Sequence, residues 1–383
     1  MAPTLRDVFD PRSNSLNAVR LAMAVGVIVW HSYPLTGHEL TYQPLRQAVA
    51  ELWVDGFFAI SGFLITSSWL RNPNIRNFVV ARALRLIPAF YICLVLTAFV
   101  VAPVGVAMQG GNWAALITSA DPVKYVLSNS GLWIFERGVG PTPTNVPHPG
   151  TWNGSLWTLA WEALCYIGIL ALGVFGLLKK RWSIPTAFAV TLIFLIYTHL
   201  AHTGGHPASA ARFAIMFLSG ALIYKYQDAI PCNRMTTLGA LTVVAVCMHL
   251  SDYRIIAAAF WAYAAISIGA QVKTKHLQLK NDISYGFYIY GFPIQQLLFI
   301  AIGPIQPILF AVASISLTFP LAVASWLAVE KPSMKLRTRL GASPSNRAII
   351  QNEETHDEKL LQLRDHGSQD GGTSHQPEST DNI

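Results

Sequence analysis

Long apolar runs recur along the whole chain and restrict its fold more than any other feature of the sequence. They lie at about residues 16–35, 48–70, 82–105, 155–178, 184–200, 209–226, 236–251, 254–271, 283–302 and 306–330. Most approach the ~20 residues that an α-helix needs to cross the hydrocarbon core of a bilayer. Only 12% of the 383 residues are charged, about half the fraction found in soluble domains. The sequence therefore predicts an all-α polytopic membrane protein with about ten transmembrane helices.

The distribution of basic residues predicts how these helices are oriented. With the N-terminus placed in the cytoplasm, most of the 27 lysines and arginines fall in inner loops and tails. The outer loops and outer helix ends hold Arg46, Lys124, Arg137, Arg212 and Arg254. This asymmetry is typical of positive-inside orientation, so both termini are predicted to be cytoplasmic. The net charge of +7 is thus explained by topology, and no nucleic-acid partner is expected.

Three regions follow from the hydropathy of the chain. Residues 1–15 form a short cytoplasmic lead, and residues 16–332 form the transmembrane domain. A long outer segment, 106–153, is rich in aromatic residues, and loops of this length are usually functional or disordered. It is interpreted as an interfacial or re-entrant element, or as a contact for substrate. Residues 333–383 are polar and are predicted to be a disordered cytoplasmic tail.

Arg20 and His31 are two ionisable residues inside the first apolar run. Their separation is close to three helical turns, which places them on one helix face roughly 16 Å apart. Ionisable groups in a membrane span are costly and usually face a cavity or a partner. Taken singly, His31 could be hydrogen-bonded to a neighbouring helix, and Arg20 could extend to the membrane interface. Their shared face favours a functional cavity.

Three further residues are candidates for chemistry. Arg82 and Arg85 are three positions apart and share a helix face at the predicted inner surface. Two guanidinium groups there suit the phosphates of a soluble ligand, or they anchor the helix beside lipid headgroups. Glu162 lies about two turns into the fourth apolar run, where a carboxylate needs a partner. It is expected to pair with His31, to bind a substrate hydroxyl, or to make a structural hydrogen bond.

Other polar residues of the apolar runs have simpler explanations. Asp55 is predicted near the outer end of the second run, where lipid headgroups can solvate a carboxylate. Tyr285, Tyr288 and Tyr290 are typical of an aromatic belt at the membrane interface. The three histidines of the sequence THLAHTGGHP, 198–207, resemble metal-ligand spacing only loosely and have no cysteine or acidic residue nearby. No metal site is therefore expected.

Taken together, these segments resemble the membrane-bound acyltransferase 3 family over roughly residues 14–335. The matching elements are R-x10-H at Arg20 and His31, DxFFxxSGFLI starting at Asp55, RxxRxxP at Arg82, Arg85 and Pro88, SLWTLxxE at Ser155 to Glu162, FxxGxxxY at Phe217, Gly220 and Tyr224, SYxxY at Ser284, Tyr285 and Tyr288, and EKP at Glu330. Two positions differ from the family pattern. Asn17 replaces an acidic residue, and Gly291 lies in an element where a histidine is common in the family. These departures affect the prediction of acceptor and acyl specificity.

The resemblance implies an O-acyltransferase of the bacterial cytoplasmic membrane. Its expected donor is acetyl-CoA, and its expected acceptor is a hydroxyl of an envelope or exported glycan, such as O-antigen, exopolysaccharide or a lipid-linked sugar. The predicted roles are catalysis for His31 and Glu162, donor binding for Arg20, Arg82 and Arg85, and substrate contact for Asp55, Trp157 and Tyr285. His31 would activate the hydroxyl or carry the acyl group. A transporter or flippase for glycan lipids is the alternative, followed by a structural membrane protein without catalysis.

Overall fold

The protein is described here by a computed structural model that covers residues 2–341, with side chains described as far as residue 336. Within that range the secondary structure is helical and no strand is present. Two isolated β-bridges join Thr4 to Pro231 and Val139 to Thr142. The prediction of an all-α fold is confirmed for this part of the chain.

The helices are numbered in chain order. They are α1 Leu5–Val8, α2 Leu16–Leu35, α3 Gln43–Ala50, α4 Leu52–Arg71, α5 Ile75–Leu96, α6 Ala102–Met108, α7 Trp113–Thr118, α8 Asp121–Asn129, α9 Thr158–Val174, α10 Ser183–Leu200, α11 Gly205–Lys225, α12 Arg234–Cys247, α13 Arg254–Gln271, α14 Ser284–Ile302, α15 Pro307–Ser325 and α16 Lys331–Gly341. A π-helical turn, Thr97–Val101, joins α5 to α6, and another, Trp326–Glu330, joins α15 to α16. A short 3₁₀ turn, Leu177–Lys179, follows α9.

Eight helices of the described chain are long and apolar enough to cross a membrane. They are Leu16–Leu35, Leu52–Arg71, Ile75–Met108, Ser183–Leu200, Gly205–Lys225, Arg254–Gln271, Ser284–Ile302 and Pro307–Leu336. Two shorter apolar helices, α9 and α12, lie where the remaining two spans were predicted. The chain is thus a multi-pass membrane protein. The total of ten spans and the cytoplasmic placement of the termini stay predictions.

The last spanning helix extends beyond the predicted start of the polar tail at residue 333. From Pro307 the chain remains helical through the π turn and on to Gly341. The added part, α16, packs against α5, and this contact extends the helix beyond the apolar run. The remainder of the predicted tail, 342–383, lies outside the described residues.

Close packing of α4 against α11 forms the centre of the bundle. Gly62 on α4 faces the backbone carbonyl of Phe217, and Gly220 on α11 faces the backbone carbonyl of Ala59. Neither position has room for a Cβ atom, so two glycines allow the helices to approach this closely. Helix α2 packs against α4, α13, α14 and α15. Arg20 and His31 are therefore carried by a helix in the interior of the bundle.

The long outer segment, 106–153, is folded against the bundle. The fully buried side chain of Asn129 accepts hydrogen bonds from the amides of Phe135 and Glu136, at 2.9 and 3.1 Å. The amide of Trp152 donates to the carbonyl of Arg137 at 2.9 Å, and the indole of Trp152 is also fully buried. These contacts fix the position of residues 133–137, some of which line a cavity described below.

Candidate active site

Arg20 and Arg85 meet on one carboxylate, that of Asp282. Asp282 lies just before α14, and its Oδ2 atom pairs with Arg20 from α2 and with Nη2 of Arg85 from α5, the latter at 2.6 Å. Nη1 of Arg85 also lies 3.2 Å from Oε2 of Glu330. Burial by itself raises the pKa of the Asp282 carboxyl, but the charges of Arg20 and Arg85 outweigh it and hold that pKa below its usual range.

Arg20, Arg85 and Asp282 line a cavity of about 370 Å³ between α2, α4, α5, α9 and α14. We call it the arginine cavity, and its lining includes Arg20, Arg82, Arg85, Glu162, Lys280 and Tyr285. The structure thus brings together the three arginines that were predicted to bind the donor. It offers several cationic groups to one ligand, with two carboxylates, those of Asp282 and Glu330, that hold Arg85 in place.

Glu162 faces the arginine cavity, and the expected pair with His31 is not formed. Its Oε1 atom accepts hydrogen bonds from Tyr166, one turn further along α9, and from Ser61 at 3.2 Å. Its Oε2 atom accepts no hydrogen bond from the part of the chain that the structure describes. The prediction of a His31–Glu162 pair was wrong because the helical pattern of α9 does not specify which neighbouring side chain its carboxylate meets.

His31 lines a second cavity, of about 250 Å³, which we call the histidine cavity. Its lining includes His31, Ser155, Trp157, Arg212 and Tyr288. The His31 ring contacts the ring of Phe292 edge-on, with the centroids 5.0 Å apart. Among the described residues, no side chain or backbone group forms a hydrogen bond with the imidazole. Its nitrogen atoms are therefore available to a ligand in this cavity.

Asp55 is placed away from the lining of both cavities and binds cations of the protein itself. Its carboxylate is fully buried and accepts from Nε of Arg212 at 2.9 Å, from Nε of Arg254 at 2.8 Å and from the hydroxyl of Tyr253 at 2.6 Å. Lipid headgroups do not solvate this carboxylate, contrary to expectation. It instead orients Arg212, whose guanidinium lines the histidine cavity.

A small cavity of about 30 Å³ lies between these two cavities and shares lining residues with each of them. We call it the waist, and its lining comprises Arg20, Val54, Phe57, Phe58, Thr158, Leu159, Glu162, Tyr285 and Tyr288. It shares Arg20, Glu162 and Tyr285 with the arginine cavity, and Val54, Thr158 and Tyr288 with the histidine cavity. The three spaces therefore form a series along α2, with Arg20 at one end and His31 at the other.

Tyr285 and Tyr288 of α14 line the waist, and the three tyrosines of α14 do not form an interfacial belt. Tyr285, Tyr288 and Tyr290 are all buried, with less than a tenth of each exposed. The hydroxyl of Tyr285 donates to the Leu86 carbonyl at 2.9 Å, and the hydroxyl of Tyr288 shares a hydrogen bond with Thr158. The belt interpretation was wrong because the tertiary contacts of α14 place these rings inside the bundle.

Three residues of the site were missed by the sequence analysis as site residues. Asp282 lies two residues before Ser284 of the SYxxY element, and that position was its only signal. Arg212 is one of the few cations on the predicted outer side, where a basic residue needs an explanation. Thr158 lies inside the SLWTLxxE element but has an uninformative side chain. Each of the three gains its role from a contact with a helix distant in sequence.

The three histidines of residues 198–207 do not form a cluster that could bind one metal ion. His199 forms a hydrogen bond with Ser251 at 2.8 Å, and the ring of His206 lies 5.1 Å from the ring of Trp133. Within residues 2–341, no group of three or more His, Cys, Asp or Glu side chains is arranged to hold a metal ion.

Comparison with known proteins identifies the family. A family model described as an acyltransferase domain matches residues 13–327. The chain belongs to the acyltransferase 3 family. It is similar to an O-acetyl transferase of Shigella phage Sf6, with 28% identity over 74% of this chain and 85% of the relative. It is also similar to Nodulation protein 10 of Rhizobium leguminosarum bv. viciae, with 25% identity over 86% of this chain and 95% of the relative. No solved structure matches it.

Membership of the acyltransferase 3 family confirms the resemblance seen in the sequence and makes this chain an enzyme. The match covers α2 to α15, and so it contains the residues that line the waist and the histidine cavity and all but Met334 of those that line the arginine cavity. The alternatives of a transporter and of a membrane protein without catalysis receive no support from these relatives.

Proposed function

We propose that this membrane acyltransferase moves an acetyl group from acetyl-CoA to a hydroxyl of an envelope or exported glycan in a bacterial cytoplasmic membrane. The acetyl group follows the name of the phage relative, and the glycan follows the family resemblance. The observation that carries the proposal is the series of adjoining cavities that extends from the three arginines to His31. A polar donor with a long, thin arm matches this series.

The arginine cavity supplies groups that suit the phosphates of CoA. Guanidinium groups bind phosphate through paired, charge-assisted hydrogen bonds, and Arg20, Arg82 and Arg85 line one cavity. The pantetheine arm would extend through the waist and carry its thioester toward His31. Glu162 lies at the entrance of the waist with Oε2 open, and we assign it the positioning of the arm by accepting one of its amide N–H groups.

In the histidine cavity, His31 would act as a general base. One imidazole nitrogen takes the proton of the acceptor hydroxyl while the hydroxyl oxygen forms a bond to the carbonyl carbon of the thioester. The carbon–sulfur bond then breaks, and the CoA thiolate leaves and receives that proton from the imidazolium. The products are the acetyl ester and free CoA, so atoms and charge balance. Arg212 lines the same cavity and would stabilise the negative charge on the carbonyl oxygen.

The proposal is tested by replacing His31 and measuring two steps separately. Purified His31→Ala and His31→Gln variants are given radiolabelled acetyl-CoA and the unacetylated glycan fraction of cells that lack this gene. We expect the rate of label transfer to fall about 100-fold or more, as for loss of a general base. Binding of acetyl-CoA should stay unchanged because the arginines are intact.

His38→Ala is the matched control, since His38 is an exposed histidine three residues beyond α2. It should transfer acetyl groups at the wild-type rate. Full transfer by His31→Ala would refute the role of His31. Wild-type protein that binds no acetyl-CoA would refute the donor.

A further inference from the structure

A third cavity, of about 460 Å³, adjoins the histidine cavity and is lined by aromatic rings. We call it the indole cavity, and its lining includes Trp133, Arg137, Trp157, Trp161, His206 and Ser209. The rings of Trp133 and Trp161 lie 5.5 Å apart, and His206 lies 5.1 Å from Trp133. The indole cavity shares Gly154 and Trp157 with the histidine cavity. A ligand bound here would therefore lie beside the cavity that His31 lines.

The position of Trp133 is built into the fold. The buried side chain of Asn129 binds the backbone of residues 135 and 136 and closes the turn that follows α8. The amide of Trp152 fixes the other side of this segment through the carbonyl of Arg137. Trp161 is carried by α9, one residue before Glu162. The indole cavity thus joins a rigid turn of the outer segment to a helix of the active site.

Arg137 is left open to a ligand. The neighbouring acid, Glu136, is paired with Lys124 at 2.6 Å and so does not neutralise Arg137. Within the described chain, the Arg137 guanidinium has no hydrogen bond or ion pair of its own. The lining of the indole cavity contains no acidic side chain, and its titratable groups are Arg137 and His206. The cavity thus combines apolar ring faces with a positive charge that has no counter-ion in the described chain.

This combination matches an anionic saccharide. Indole faces carry negative charge density, and the C–H groups of a pyranose ring pack against such faces. A guanidinium binds a carboxylate or phosphate through two parallel hydrogen bonds. We propose that the indole cavity binds the acceptor, with a sugar ring against Trp133 and Trp161 and an anionic group on Arg137. This inference rests on the proposed function, because it assigns the acceptor of the same reaction.

The test measures binding without acyl transfer. Saturation-transfer NMR on the purified full chain compares an oligosaccharide containing glucuronic acid, its carboxyl methyl ester, and N-acetylglucosamine 1-phosphate. We expect the protein to bind an anionic probe about tenfold more tightly than the ester, which corresponds to one charge-assisted contact. Preference for the first or the third probe distinguishes a sugar carboxylate from a phosphate such as that of a lipid carrier.

Two variants locate the binding. Arg137→Ala should reduce binding of the anionic probe to the level of the ester and leave the ester unchanged. Trp133→Ala should weaken binding of both the anionic probe and the ester. Trp133→Phe, which keeps an aromatic ring, should retain most of the wild-type affinity for both. Phe135→Ala is the matched control, because Phe135 belongs to the same segment but is 71% exposed and lies outside the lining. It should bind like the wild type.

The outcomes separate this proposal from the function on which it rests. Absence of binding, equal affinity for charged and neutral probes, or unchanged binding by Trp133→Ala would overturn the acceptor site. The His31→Ala variant should bind the saccharide normally and fail to acetylate it. If binding depends on Trp133 and Arg137 but acetyl-CoA donates nothing to any saccharide, the acceptor site stands and the proposed reaction fails.

Discussion

At the scale of single residues, two clusters of buried charge in the described chain share a core of one aspartate between two arginines. Asp282 lies between Arg20 and Arg85, and Asp55 lies between Arg212 and Arg254. A buried charge is tolerated when it is paired, so each aspartate allows two guanidiniums to remain inside the bundle. In both clusters, at least one of the arginines lines a cavity of the site. Each aspartate therefore positions an arginine that lines a cavity.

The cluster at Asp282 should tolerate acid well. The pKa of the Asp282 carboxyl in the folded protein is below the ordinary aspartate value because Arg20 and Arg85 lie beside it. The ionised carboxylate is consequently present at neutral pH, and its stabilising effect is lost only as the pH falls through that lowered pKa.

Asp55→Asn tests the second cluster. The substitution keeps the shape of the side chain but leaves Arg212 without a counter-charge in the described chain and removes one of the three carboxylates that pair with Arg254. We expect this change to cost about 3 kcal/mol of stability. Thermal unfolding in detergent should show a lower midpoint. Asp252→Asn is the control, because Asp252 pairs with Arg254 alone at a partly exposed position and its loss should matter less. Equal unfolding midpoints for the two variants would contradict the special role of Asp55.

At the scale of helices, the crossing of α4 and α11 places two sides of the site. Helix α4 carries Phe57 of the waist and Asp55, and α11 carries Arg212. Their separation is set by Gly62 and Gly220, which face backbone carbonyls of the opposite helix. A wider crossing would move Arg212 relative to Asp55 and change the shape of the histidine cavity.

Gly62→Ala tests the crossing. A methyl group at this position collides with the Phe217 carbonyl, and such overpacking costs about 1–3 kcal/mol. The unfolding midpoint and the acyl-transfer rate should both fall. Gly168→Ala on α9 is the matched control, since no atom of the described residues beyond its own helix and chain neighbours lies within 4 Å of its missing Cβ. That change should be neutral or stabilising by about 1 kcal/mol because alanine favours a helix. A wild-type midpoint for Gly62→Ala would argue against a close crossing.

At the scale of the whole molecule, the candidate site consists of several adjoining cavities and not of a single pocket. The arginine cavity, the waist, the histidine cavity and the indole cavity adjoin one another through shared lining residues. The waist is by far the smallest of the four, so the donor arm would meet its tightest contact there. The rings of Phe57 and Tyr288 lie 5.8 Å apart at this point.

Phe57→Trp tests whether transfer passes through the waist. The larger ring should fill a cavity of about 30 Å³ and reduce acetyl transfer by about tenfold or more, since misplacing reacting atoms by about 1 Å can cost 100-fold. Binding of CoA without its acetyl group, measured by calorimetry, should be affected less because the arginines are unchanged. Phe57→Leu, which removes ring volume, is the control and should retain transfer. Normal transfer by Phe57→Trp would place the route elsewhere.

The sequence by itself determined the fold class, the family and the face of α2. Apolar runs of spanning length admit little other than a helical bundle, because backbone groups in lipid must be paired within each segment. The period of the α-helix placed Arg20 and His31 on one face, since that relation is local. The sequence also predicted that Arg82 and Arg85 lie on one helix face, for the same reason.

Only the tertiary structure decided which side chains meet. It placed Glu162 with Ser61 and Tyr166, apart from His31, and it placed Asp282 between Arg20 and Arg85. Most of these partners are about 100 or more residues apart in the chain. Helical periodicity defines the face on which a residue lies but not the helix that covers that face. That choice depends on how all the helices pack together, including the glycine contacts that let two of them approach.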